Sequence, residues 1–172
     1  GLNAKNRNWH NVSEQDFDQI IKVDLNGVFY TNRLVLEKMK EQRGGLIINI
    51  SSWAGKYVTT LTGPAYTAAK HGVNALTEQV AIQNAKYGIR ANCIEPGLMN
   101  TPMAIDARVD AWQESREEII SARNAKVPLK GKMGTAWDVA NAALFLASDE
   151  AQFITGITLT VSYTHLTLPT KA

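Results

Sequence analysis

The fold of this chain is indicated first by Leu46-Ile47-Ile48-Asn49-Ile50-Ser51-Ser52, an apolar run that ends in two serines. A nearly continuous apolar run of this length is typical of a parallel strand that is covered on both faces. Two similar runs follow: Ile89–Glu95, which stops at Pro96-Gly97, and Ile157–Val161 near the end of the chain. We therefore predict three buried strands.

Helical patterns separate these strands. Ser13 resembles a capping-box residue and opens a helix that continues to Gln42, with a bend near Gly27 and an end at Gly44-Gly45. A second helix is predicted over 65–87 and short helices over 98–132. A third is capped by Thr135 and includes 139–147. The alternating order predicts an α/β domain with a parallel sheet and crossover helices.

The bulk composition is that of an ordinary globular domain. The chain has 172 residues, an apolar fraction of 45% and a net charge of +2, without a run of lysine or arginine. We expect neither a nucleic-acid nor a membrane partner. Cys93 is the single cysteine, which excludes a disulfide framework within one chain and predicts a buried thiol on a strand. No metal-ligand spacing is found.

The two ends of the sequence each lead to an expectation about the origin of the chain. The chain opens without Met and without the apolar core of a signal peptide, which predicts a cytoplasmic fragment of a longer protein. Its last stretch, residues 162–172, differs from the rest, and we expect a non-native tail there. The domain itself is assigned to residues 1–161.

Tyr66 and Lys70 lie four positions apart in the second predicted helix, so their side chains leave one face. A free phenol titrates near ~10 and exchanges protons poorly at neutral pH. A neighbouring ammonium favours the phenolate and would lower the pKa of Tyr66. The pair is therefore predicted to be an acid/base site.

Four blocks stand in order along the chain: Asn49-Ile50-Ser51-Ser52, Tyr66-x-x-x-Lys70, Pro96-Gly97-x-x-x-Thr101, and Phe145-Leu146-Ala147-Ser148 ahead of Thr155-Gly156. In these blocks the chain resembles the short-chain dehydrogenase/reductase family. The resemblance implies the C-terminal half of a Rossmann-like, doubly wound parallel α/β sheet. It also implies an NAD(P)-dependent oxidoreductase that interconverts a secondary alcohol and a ketone.

The resemblance assigns a role to each matching residue. Tyr66 would be the catalytic acid/base, and Lys70 would lower its pKa and hold the nicotinamide ribose. Ser52 would hydrogen-bond the substrate oxygen, with Ser51 as a competing candidate. The remaining residues would bind the nicotinamide of NAD or NADP: Pro96, Gly97, Met99 and Thr101.

Two features depart from the family pattern. Asp24 stands where the family has an asparagine that relays protons through water to the lysine, so the resemblance makes Asp24 a catalytic candidate with an added charge. The glycine-rich turn that receives the cofactor pyrophosphate is not in this chain. The choice between NAD and NADP is therefore open. The chain alone is expected to aggregate or to stay loosely packed, and to bind no cofactor.

Three expectations concern substrate, assembly and alternative functions. Met99, Met103 and Trp112 suggest a partly apolar substrate pocket. Like its relatives, the complete protein is expected to form a homo-oligomer through the helices predicted over 13–42 and 65–87. A non-catalytic scaffold relative and an inactive truncated product are the alternatives to an active enzyme.

Overall fold

The computed structural model describes residues 1–58, 61–112 and 114–162, without the side chains of residues 107, 108 and 110–112. Its sheet has three strands: β1 Gly45–Ile50, β2 Ile89–Pro96 and β3 Thr158–Val161. The strands lie in the order β1-β2-β3, and both pairs are parallel. This confirms the predicted α/β class.

Six α-helices connect and cover the strands in the described ranges: α1 Glu14–Ile21, α2 Gly27–Gln42, α3 Pro64–Asn84, α4 Pro102–Trp112, α5 Arg116–Asn124 and α6 Ala136–Ala147. One-turn 3₁₀ helices follow at Trp53–Gly55, Ala85–Tyr87 and Asp149–Ala151. The helices predicted in the 98–132 insertion are α4 and α5. None of the described helices combines the length and apolarity that a bilayer crossing requires.

The first helical stretch differs from the simple bend predicted near Gly27. A π-helical turn, Lys22–Asn26, joins α1 to α2 without a break. Such a wide turn accommodates one extra residue within a helix and occurs often at functional sites. Here it contains Asp24, whose side chain is turned inward and is 3% exposed.

The end of α2 also differs from the end predicted at Gly44-Gly45. Arg43, and not a glycine, adopts the left-handed conformation, with φ of 54°. Gly45 is required for a different reason, because a Cβ there would lie 2.5 Å from Cγ of Met39. Gly45 thus lets β1 start directly beneath the helix.

Helices cover both faces of the sheet. On one face Ile47 of β1 and Ala91 of β2 pack with Ala81 of α3, and side chains of α2 surround this cluster. Side chains alternate along a strand, so Arg90 points to the other face. There its guanidinium donates to the carbonyl of Leu146 in α6, at 3.0 Å. This is the doubly wound arrangement that the sequence predicts.

The carboxyl ends of the three strands open at one edge of the sheet. Beyond the paired strands, the Ser51 N–H donates to the Ile94 carbonyl at 2.8 Å. The Gly97 N–H donates to the Val161 carbonyl at 2.9 Å. These bonds fix the two loops that leave β1 and β2, and open parallel sheets place their ligands at this edge.

Candidate active site

A cavity of about 690 Å³ lies at this edge of the sheet. Its volume falls within the range of small-molecule and cofactor sites. The described lining comes from the N-terminal loop, the two strand-end loops, the start of α3, and α4 to α6: it includes Asn3, Arg7, Ser52, Trp53, Leu61, Tyr66, Lys70, Pro96, Gly97, Met99, Thr101, Met103, Arg123 and Val139. The motif blocks that are distant in sequence therefore meet around one space.

Ser52 ends the first strand–loop segment and caps the 3₁₀ turn that follows. Its Oγ accepts a hydrogen bond from the Ala54 N–H at 3.2 Å, which fixes the side chain. Hydrogen bonding with the Ser52 hydroxyl is one of the causes that lower the pKa of Tyr66. Ser51 instead donates to the backbone carbonyl of Lys70, at 3.0 Å. Of the two candidate serines, Ser52 is therefore the one beside the phenol.

Tyr66 is placed by the start of α3, where Gly63 is the N-cap and Pro64 is the first helical residue. Proline suits this position because its missing N–H would have no helical partner. The phenol is buried, and burial raises the pKa of Tyr66. The hydrogen bond from Ser52 lowers this pKa, the Asp24 carboxylate raises it, and the Arg7 charge lowers it.

Lys70 lies one turn further along α3, with its Nζ 5.5 Å from the centroid of the Tyr66 ring. Its Nζ donates to the carbonyl of Ile50 at 3.3 Å. Burial lowers the pKa of Lys70, and Asp24 raises it. Burial is the largest influence on the phenol and raises its pKa, and a lowering of the Tyr66 pKa by Lys70 stays a prediction.

Asp24 lies behind this pair and is not among the described lining residues. One carboxylate oxygen, Oδ1, accepts the Leu2 N–H at 2.7 Å. The other, Oδ2, is buried without a hydrogen-bond partner among the described residues. Its charge reaches both Tyr66 and Lys70. The π-helical turn thus brings Asp24 next to the residues that the resemblance links it with.

The residues predicted to bind the cofactor also line the cavity. Met99 is held by a parallel bridge to Gly134, in which the Asn100 N–H donates to the Gly134 carbonyl at 2.8 Å. Pro96, Gly97 and Thr101 line the same cavity. Hydroxyl and backbone groups of this kind can hydrogen-bond a carboxamide. The residues present therefore suit a nicotinamide, and no group of residues suited to a metal ion occurs in the described ranges.

A buried polar network behind the site was not predicted as a unit. The Glu95 carboxylate accepts from Asn74 Nδ2 at 2.6 Å and from the Thr160 hydroxyl at 3.0 Å. Asn74 Nδ2 also donates to the Gly55 carbonyl at 3.0 Å. Glu95 therefore has the structural role that its place at a strand end suggests. Its hydrogen bonds connect the ends of β2 and β3 to Asn74 of α3, and Asn74 in turn holds the serine loop, the segment from Ser51 to Gly55.

Four other side chains bear on the site: Cys93, Met103 and Trp112 carry a sequence prediction, and His71 follows Lys70 in the sequence. Cys93 is fully buried on β2, and burial raises the pKa of its thiol to about 11, so it is an inert apolar residue. His71 is exposed, with its Nδ1 2.9 Å from the Thr67 carbonyl. Met103 lies on the cavity wall and is half-exposed. The side chain of Trp112 and residues 163–172 lie outside the described part of the chain.

One lining residue had no signal in the sequence. Arg7 belongs to the N-terminal loop, where no periodicity or motif marks it. It reaches the cavity because its guanidinium bonds to the loop that precedes α3. Only contacts between segments distant in sequence reveal such a residue.

Comparison with known proteins supports the resemblance. A family profile described as enoyl-(acyl carrier protein) reductase matches residues 1–163. An uncharacterized oxidoreductase of Bacillus subtilis, YxbG, is 38% identical over 160 residues, which are 93% of this chain and 58% of the relative. The chain thus spans about three fifths of the length of that curated relative.

Comparison with solved structures also supports the resemblance. Levodione reductase is 30% identical and superposes with a TM-score of 0.88, over 94% of this chain and 62% of the other. The NADP-bound structure of ElxO is 28% identical with a TM-score of 0.82, over 94% and 62% of the two chains. With the profile match and the four motif blocks around one cavity, these likenesses place the chain in the short-chain dehydrogenase/reductase family.

Proposed function

We propose that the protein containing this chain is an NAD(P)-dependent oxidoreductase that interconverts a secondary alcohol and a ketone. The observation that carries the proposal is the convergence of Ser52, Tyr66 and Lys70 on one cavity that is also lined by residues of Pro96–Thr101. Tyr66 is hydrogen-bonded to Ser52. The Lys70 ammonium lies against its ring. This set can hold a carbonyl oxygen and exchange one proton with it.

In the direction of ketone reduction, the chain supplies the proton and the binding site. Because burial keeps the pKa of Tyr66 above its ordinary value, the phenol is protonated at neutral pH. The Ser52 hydroxyl donates to the carbonyl oxygen and orients it, and Tyr66 gives its proton to the same oxygen. Arg7, whose charge lowers the pKa of Tyr66, stabilises the phenolate that is left, and the Lys70 ammonium lies against the same ring. General acid catalysis of this kind contributes about 10²–10⁴-fold to a rate.

A bound nicotinamide, NAD or NADP, supplies the hydride chemistry. Lys70 would hold its ribose hydroxyls. Met99 and Thr101 would hold its carboxamide beside the Pro96-Gly97 turn. The NADP in the ElxO structure supports a nicotinamide cofactor for this chain as well.

The proposal is tested by following NAD(P)H absorbance in the complete protein that contains this chain, with a panel of small ketones. We expect oxidation of at least one of the two cofactors that depends on the ketone. A protein that binds NAD(P)H but turns over no ketone or alcohol in either direction would contradict the proposal and favour a non-catalytic scaffold.

We propose that Asp24 tunes the proton transfer, and its replacement by asparagine tests this. The Asp24 carboxylate raises the pKa of both Tyr66 and Lys70, so Asp24→Asn lowers both. Alcohol oxidation needs the Tyr66 phenolate, so the acid limb of its kcat/KM profile should move to lower pH. Asp18→Asn, which removes an exposed carboxylate from α1, is the control. An unshifted profile in Asp24→Asn would contradict this role.

We also propose that the complete protein is a homo-oligomer that pairs its long helices. Exposed apolar side chains on α2 and α3 support this, among them Leu34 at 73% and Ile82 at 77% exposure. Leu34→Glu should convert the oligomer to smaller species in light scattering at micromolar concentration. Leu129→Glu, also at an exposed leucine, is the control. A monomeric wild-type protein would overturn the assignment.

A further inference from the structure

Asn74 continues the row of site residues along α3. It lies one turn beyond Lys70, which itself lies one turn beyond Tyr66. Unlike these two residues, Asn74 is not among the described lining residues of the cavity. Its side chain is half-buried and hydrogen-bonds to β2 and to the serine loop. Any effect of Asn74 on the reaction must therefore pass through a neighbouring group.

The orientation of the Asn74 amide follows from its partners. Its Nδ2 donates to the Gly55 carbonyl at 3.0 Å and to the Glu95 carboxylate at 2.6 Å. Carbonyl and carboxylate oxygens are acceptors, so the amide nitrogen and not the amide oxygen faces them. On the other side, the Cys93 thiol donates to Oδ1 at 3.4 Å. The second oxygen of Glu95 accepts from the Thr160 hydroxyl at 3.0 Å. Both polar atoms of the amide are thus satisfied in a single orientation.

Gly55 connects this amide to Ser52. The Gly55 N–H donates to the Ser52 carbonyl at 2.7 Å, and the Ala54 N–H donates to the Ser52 Oγ at 3.2 Å. These bonds belong to the 3₁₀ turn Trp53–Gly55, which Ser52 caps. Because the turn is only three residues long, a shift of its last residue moves the residue that caps it.

The packing around Gly55 leaves little room for such a shift while Asn74 is in place. A Cβ at Gly55 would lie 2.7 Å from the Ser51 hydroxyl and 2.8 Å from the Lys70 carbonyl. It would also lie 3.0 Å from Nδ2 of Asn74. The Ser51 hydroxyl donates to the Lys70 carbonyl at 3.0 Å. The serine loop is therefore bonded to α3 at its start, through Ser51, and at its end, through Asn74.

We propose that Asn74 is a positioning residue for Ser52: by fixing the end of the serine loop, it holds the Ser52 hydroxyl where it meets the substrate oxygen. The inference rests on the proposed oxidoreduction at this site. Glu95 contributes indirectly, because its carboxylate keeps the Asn74 amide turned towards Gly55. A misplacement of ~1 Å in a catalytic group can lower a rate by about 10²-fold. Asn74 thus acts on the reaction without touching the substrate.

The experiment is a double-mutant cycle of Asn74→Ala and Ser52→Ala in the complete protein that contains this chain. Turnover of a ketone with NAD(P)H, the NAD(P)H Kd and the thermal midpoint are measured for each member of the cycle. Asn84→Ala is the matched control, because Asn84 is a buried asparagine of the same helix whose Nδ2 donates to the Val80 carbonyl at 2.8 Å. Crystal structures of wild type and Asn74→Ala locate the Ser52 hydroxyl directly.

We expect Asn74→Ala to lower kcat by about 10- to 100-fold, with the ketone KM and the NAD(P)H Kd close to those of wild type. In the Ser52→Ala background the same substitution should change kcat by less than about twofold, since the hydroxyl that Asn74 positions is gone. The crystal structure of Asn74→Ala should show the Ser52 hydroxyl displaced by ~1 Å. Asn84→Ala should keep the kcat of its parent in both backgrounds.

A purely structural role of Asn74 would give a different pattern. Additive losses of kcat in the double variant would overturn the inference, and so would an unmoved Ser52 hydroxyl in the crystal structure of Asn74→Ala. A loss of kcat shared by Asn84→Ala would equally overturn it, because that variant leaves the serine loop untouched.

A second substitution covers the case in which Asn74→Ala unfolds below the assay temperature. Asn74→Ser keeps one hydroxyl donor near Gly55 and Glu95, and it then replaces the alanine variant in the cycle and in the crystal. Unfolding of both variants would show that Asn74 only stabilises the fold, and the inference would be wrong. Absence of ketone turnover by wild type would overturn the proposed oxidoreduction, whereas the position of the Ser52 hydroxyl in the two crystal structures tests Asn74 by itself.

Discussion

Replacement of Tyr66 by phenylalanine is expected to lower kcat by about 10²- to 10⁴-fold, the range that a general acid/base contributes. The variant removes one oxygen from a buried ring and leaves the packing in place. It deletes the proton donor and the hydrogen bond to Ser52. The measurement is steady-state turnover of a ketone with NAD(P)H by the complete protein that contains this chain.

The cofactor affinity separates a chemical effect from a structural one. Tyr66→Phe should bind NAD(P)H nearly as wild type does, because Lys70 and the Pro96–Thr101 wall are retained. Tyr87→Phe is the control, since that ring lies against the Lys40 and Lys86 ammonium groups, away from the cavity lining. Normal turnover in Tyr66→Phe would refute the assigned acid/base role.

Replacement of Gly55 by alanine should damage both stability and activity. An added Cβ would lie 2.7 Å from the Ser51 hydroxyl and 2.8 Å from the Lys70 carbonyl. The Lys70 carbonyl oxygen belongs to the backbone of α3, so it cannot rotate away from the added Cβ. Overpacking of this kind costs about 1–3 kcal/mol. A shift of the loop and helix by ~1 Å would lower kcat by about 10²-fold, because Ser52 and Lys70 move apart.

Gly44→Ala is the matched control for this substitution. A Cβ at Gly44 meets nothing within 4 Å. Thermal unfolding should show a lower midpoint for Gly55→Ala and an unchanged one for Gly44→Ala, and turnover should follow the same order. Equal midpoints for Gly55→Ala and wild type would contradict the close packing of the serine loop against α3.

The elements of the fold were largely predictable because their signals are local. The apolar run from Leu46 to Ile50 and the run before Pro96 gave two strands within one residue at either end. The pairing of Thr135 with Asp138 is the capping box at the start of α6. The π-helical turn at Lys22–Asn26 was not predictable, since an extra residue in a turn leaves the apolar spacing almost unchanged.

The residues of the candidate site were also predictable in part from local sequence signals. Tyr66 and Lys70 were found because four positions along a helix bring two side chains onto one face. Ser52 and the Pro96-Gly97 turn were placed near them because the carboxyl ends of parallel strands share an edge. The spacing to Tyr66 and to Gly55 already favoured Ser52 over Ser51, and the structure adds that the Ser51 hydroxyl donates to the backbone carbonyl of Lys70.

By itself, the sequence determined the α/β class, the parallel order of the strands and the motif residues, because periodicity and short spacings are properties of neighbouring residues. Only the tertiary structure decided the balance of charges around Tyr66. Burial raises the pKa of the phenol although Lys70 is one turn away, and Asp24 and Arg7 act on it from segments distant in sequence. Electrostatic energies depend on distances through space and on the exclusion of water. The order of residues along the chain specifies neither of these directly.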